Sequence, residues 1–87
     1  METDKILTAQ SLQEQLAKLS LEAYQLARDC KKERQADKIY ADYLDIVNID
    51  INDENARAVI FAKFPKKIRE YQRAIAQRSF AGRELSF

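Results

Sequence analysis

The chain has 87 residues, 46% of them hydrophobic and 33% charged, with a formal net charge of +1; it is too short for two domains and too apolar to stay disordered. It contains no His, one Cys, one Gly and one Pro. That removes the common zinc, haem and nucleophile–base arrangements, an internal disulfide and a Gly-rich phosphate loop, so no catalytic residue, cofactor or metal is expected.

The first residues, Met1-Glu2-Thr3-Asp4-Lys5, lack the basic-then-apolar order of a secretory signal. No stretch approaches the roughly 18 apolar residues of a membrane span. Together with the lone Cys30, this points to the reducing cytoplasm and to no direct membrane insertion.

Ser11-Leu12-Gln13-Glu14 has the form of a capping box, in which a Ser hydroxyl and a Glu carboxylate satisfy each other's backbone N–H groups, and a helix is expected to begin or be reinforced there. From that point Leu12, Leu16, Leu19, Ala23, Leu26 and Cys30 recur every three or four residues, which places them on one helical stripe. On that stripe Cys30 reads as a small buried hydrophobe. The helix should run out at Lys31-Lys32-Glu33-Arg34, where the stripe is interrupted and cations suit the negative end of the helix dipole.

A second stripe follows at Ala36, Ile39, Tyr40, Tyr43, Ile46 and Val47, with Asp37, Lys38, Asp42 and Asp45 on or near the other side. It should fade near Asn48. Asn48-Ile49-Asp50-Ile51-Asn52 alternates like a strand, but a single five-residue strand has nothing to pair with, so it reads as a connection. The pairs Asp42 and Asp45, and Asp50 and Asp53, lack the Gly-centred spacing of a calcium loop and read as solvated surface.

Asn52 or Asp53 can cap a third helix, in which Ala56, Ile60, Phe64, Ile68, Tyr71 and Ile75 keep a helical spacing across Pro65. A proline inside a helix removes one hydrogen bond, so this helix should be kinked, or broken in two, near Pro65. Gly82 reads as its stop and Arg83 to Phe87 as a frayed tail. Three helices with short links can bury one stripe each only against one another. The expected fold is all-α, an antiparallel three-helix bundle in one domain, 1–87, with its core over about 12–80.

Charge is unevenly distributed along the chain. Residues 1–56 hold 7 Lys or Arg against 12 Asp or Glu, whereas residues 57–87 hold 8 against 2. On a helical wheel Lys66, Arg69 and Arg73 lie away from Phe64, Ile68 and Tyr71, with Lys63 and Lys67 flanking that apolar face. Three readings fit this cationic ridge: a solvated face, a surface for an acidic amphipathic partner helix, or a nucleic-acid contact, the last disfavoured by the acidic first two helices.

Ala27-Arg28-Asp29 before a short turn, Gln35-Ala36 and Ile39-Tyr40-Ala41-Asp42-Tyr43 after it, and Ala62-Lys63-Phe64 with Glu70-Tyr71-Gln72-Arg73-Ala74 in the third helix form a pattern over roughly residues 12–78. That pattern resembles the MIT domain, the microtubule-interacting and trafficking module. Ile75 stands where that family usually has Glu, the Tyr-to-Arg spacing is one residue short, the link between the second and third helices is short, and Pro65 is atypical.

The resemblance implies a three-helix module that binds short acidic motifs of ESCRT filament subunits, in endosomal trafficking, in a groove between the second and third helices. On this chain that groove would be lined by Tyr43, Ile46, Val47, Ala62, Lys66, Arg69 and Arg73. Tyr43-Leu44-Asp45 through Asn52-Asp53-Glu54-Asn55-Ala56-Arg57 also resembles the junction of two tetratricopeptide repeats. A helical adaptor of that kind, and a small nucleic-acid-binding or assembly protein using the basic third helix, are the alternatives.

Overall fold

The computed structural model describes residues 2–77, which form helices α1 (Glu2–Asp29), α2 (Glu33–Val47) and α3 (Glu54–Gln77). No Gly or Pro interrupts residues 2–29, and Asp4 stands in a first turn whose free N–H groups favour negative charge. The helix therefore starts nine residues before the expected capping box. Ser11 is mid-helix and exposed, and its Oγ accepts from Gln15 Nε2 at 3.1 Å instead of capping a backbone N–H. The folded region accordingly begins ahead of residue 12, with Ala9 fully buried.

The buried line of α1 is Ala9, Leu16, Ala23 and Ala27, with Ser20 beside it, while Leu12, Leu19 and Leu26 are half-buried at its edge. The stripe is rotated from the leucine-centred one because two helices, not one, pack on it. Both α2 and α3 lie against α1, and among the described residues no Cα of α2 comes within 8 Å of a Cα of α3. Small side chains at Ala9, Ser20, Ala23 and Ala27 let both helices approach, with Leu16 the one large side chain on the shared line. Ser20 keeps its hydroxyl satisfied locally, donating to the Ala17 carbonyl at 2.8 Å.

α1 ends where Lys31 takes φ 60°. Lys32 N–H donates to the Ala27 carbonyl at 2.8 Å and Lys31 N–H to that of Arg28 at 2.9 Å, the paired bonds of a Schellman stop. Cys30 therefore lies past the last helical turn and is exposed, not buried as its place in the periodic pattern implied.

α2 then returns antiparallel to α1, burying Ala36, Ile39 and Ile46. Residues 48–53 form the expected connection. Ile49 and Ile51 tuck against the core, while Asp50 Oδ1 accepts from Asn52 N–H and Asp53 Oδ1 from Asn55 N–H, each at 3.0 Å, the second capping α3. The alternation of this segment thus serves a turn with an apolar underside.

α3 is one helix through Pro65, burying Arg57, Ile60, Phe64, Ile68, Tyr71 and Ala74. Proline has no N–H for the carbonyl of Phe61, and Phe61, Ala62 and Lys66 are exposed, so water reaches that side of the helix. Continuity is retained because the residues on both sides of Pro65 are held against α1. Gly82 and residues 83–87 lie outside the described residues.

Two long polar side chains fix the α2–α3 connection from either side. Gln13 Nε2 donates to the carbonyls of Ile46 at 2.8 Å and Ile49 at 3.1 Å. Arg57, only 7% exposed, donates through Nη1 to the carbonyls of Ile51 and Asn52, both at 3.1 Å. A buried guanidinium was not expected from the periodicity, since position 57 is off the stripe drawn through Ala56 and Ile60.

Two outcomes are expected in urea denaturation. Lys31→Gly should stabilise the chain by about 0.5–1 kcal/mol, because only glycine takes the left-handed conformation without a Cβ penalty. Arg57→Met should cost about 2 kcal/mol, and Arg57→Lys should not restore it, since the shorter lysine does not carry its nitrogen to the place of Nη1 and a buried ammonium, more strongly hydrated, costs more to desolvate.

Candidate partner-binding surface

The outer side of α3 is set by the same periodicity that buries its inner side. Lys66, Arg69 and Arg73 are exposed and converge around a shallow depression of about 260 Å³, with Glu70 at its edge. Glu70, which also lines the depression, pairs with Lys67, whose Nζ lies 3.6 Å from its Oε2. Among the described residues, no carboxylate is within ion-pair distance of Lys66, Arg69 or Arg73. Ala62 is exposed one turn earlier on the same side.

The α2 residues expected beside this ridge are elsewhere. Ile46 is 2% exposed and belongs to the core, so it is not available to line a groove. Tyr43 is half-buried and faces Tyr40, with ring centroids 5.9 Å apart, and Tyr40 in turn meets Tyr24 of α1 at 5.2 Å. Val47 is exposed and falls on that same side of α2 by helical spacing. These residues therefore belong to the seam between α1 and α2, because the Ala36–Ile39–Ile46 line turns inward and carries the tyrosines to the side away from α3.

What α2 turns toward α3 is polar. Asp42 is half-buried, and burial pushes its carboxyl above the usual carboxylate range; neighbouring Asp45 adds to this, while Lys38 and Lys67 oppose it. Tyr71, 1% exposed, has its phenol pushed above the usual range by burial, and then by Asp42 and Glu70. The gap between α2 and α3 thus holds Asp42, Lys67 and Tyr71. Sequence periodicity had placed Asp42 on the solvated side of α2, since the pattern of one helix does not show that a second helix lies beside that flank.

Among the described residues no group of three or more His, Cys, Asp or Glu side chains gathers as a metal site, and no helix is long and apolar enough to cross a membrane. Comparison with models of known families, with curated proteins and with solved structures gives no match.

The raised pKa of Asp42 has a definite sign. The folded state holds the carboxyl proton more tightly than the unfolded chain, so the charged carboxylate destabilises the fold above the folded-state pKa, and this penalty fades as pH falls toward 3.8. Asp42→Asn should therefore raise the urea midpoint at pH 7, with the advantage shrinking as the pH is lowered through the carboxylate range.

Proposed function

We propose that this bundle is a non-catalytic interaction module that recognises a short acidic amphipathic segment of another protein on the basic outer face of α3. The observation that carries the reading is the set of three exposed cations, Lys66, Arg69 and Arg73, gathered around one depression with no carboxylate at ion-pair distance among the described residues. Keeping like charges close on one helix face is unfavourable for the isolated chain and favourable once an anionic ligand neutralises them. Ala62 leaves room beside the ridge for the apolar edge of such a helix.

The resemblance to MIT domains supplies the partner class, an acidic helical motif of an ESCRT filament subunit, with the contact residues narrowed to α3. A nucleic acid would meet the same cations, but a ridge of three offers few contacts to a phosphate backbone and fits a short peptide better.

Isothermal titration with an acidic amphipathic peptide of about 15–20 residues should give micromolar affinity that weakens with added salt. Arg69→Asp should abolish it, whereas Arg34→Asp, at an exposed cation of α2 that does not line the depression, should not. Equal binding by the Arg69 variant removes α3 as the site, and tighter binding of single-stranded or duplex nucleic acid with a steep salt slope replaces the peptide reading.

A further inference from the structure

We infer that the seam between α1 and α2 is a self-association surface that meets the same seam of a second copy of this chain, with the two α1 helices antiparallel about a two-fold axis at Leu21. The surface is separate from the basic ridge and independent of its function. Tyr24 of α1 and Tyr40 of α2 meet across the seam with their ring planes tilted by 47°, and the exposed apolar side chains nearby in helical spacing include Leu21, at 40%, Val47, at 41%, and Tyr40 and Leu44, each at 42%. Isolated exposed leucines are ordinary on any protein surface. Here Leu21 is one turn from Tyr24 and Leu44 one turn from Tyr40, on helices already joined by the ring contact, so the apolar residues form one face.

The charges on α1 say what covers it. Glu14, Leu21 and Arg28 are exposed and seven residues apart, two helical turns, so they stand on one line of the helix. A two-fold axis through Leu21 carries Arg28 onto the partner's Glu14, because each stands about 10 Å from the axis along α1. Every contact of such an interface occurs twice, so one pair of opposite charges makes two ion pairs. A parallel arrangement would instead set Glu14 against Glu14 and Arg28 against Arg28.

Arg28 is already turned over the seam, 5.8 Å from the centroid of the Tyr24 ring and donating to its hydroxyl at 3.2 Å. Exposed ion pairs add little affinity, so the two charges set the register while burial of Leu21, Tyr40 and Leu44 drives association.

Sedimentation equilibrium of the 87-residue chain, from about 10 µM to about 1 mM, should show a reversible monomer–dimer equilibrium. Leu21→Lys should raise the dissociation constant at least about tenfold. Glu14→Arg and Arg28→Glu should each raise it roughly fivefold, because either creates two repulsive pairs, and the double variant should return it to within about twofold of the parent. Circular dichroism should give all four variants the helix content of the parent, since the substituted side chains are exposed. A chain that stays monomeric throughout, a dimer indifferent to Leu21→Lys, or a double variant no better than its singles would each overturn the proposal.

Discussion

Everything else in this fold depends on one buried line along α1, built of small side chains except at Leu16. Ala9, Leu16, Ala23 and Ala27 are fully buried and serve two partners at once, since α2 and α3 both rest on α1 and their backbones stay apart. A chain this short buries only a modest share of its surface, so sharing one helix between two others makes economical use of few apolar residues. It also explains the length of α1, whose 28 residues at about 1.5 Å each nearly match the 44 Å long dimension of the molecule.

That arrangement decides where polar groups end up. With α2 and α3 held apart, their facing flanks admit Asp42 and Lys67 next to Tyr71, and the electrostatic cost falls on Asp42. The connection between the same two helices is held from outside the gap, by Gln13 of α1 and by Arg57 of α3, each supplying two hydrogen bonds to main-chain carbonyls. The Arg57 guanidinium supplies donors to two carbonyls of the link, Ile51 and Asn52, that lie outside either helix. Apart from Ser20 in the middle of α1, these polar groups lie at the α2–α3 connection or in the gap between those two helices.

The outward faces differ in physical character. The ridge of Lys66, Arg69 and Arg73 acts through charge, at a range set by ionic strength, and suits encounter with an anionic ligand. The α1–α2 seam is aromatic and aliphatic with charges of both signs along α1, so it acts through short-range burial and register.

Much of this was legible from the residues alone, and the limits are instructive. Three apolar periodicities, an absence of Gly and Pro from all but two positions, and turn formers between Asn48 and Asp53 determined three helices and their order, because helix formation depends on local spacing and propensity. The inward direction of Phe64, Ile68 and Tyr71, and with it the outward direction of the basic ridge, followed from the same spacing.

Only the tertiary structure decided which capping signals were used: Ser11 lost its role because helix persisted upstream through Ala9, and Cys30 left the core because Lys31 turned the chain. Only the tertiary structure placed Tyr43 and Val47 on the α1–α2 seam and Asp42 toward α3, while Ile46 is buried as its stripe implied and so is withdrawn from the expected groove. Periodicity assigns each helix an inside and an outside. Which neighbour lies on either flank is settled by how three helices share one core, and no single helix carries that information.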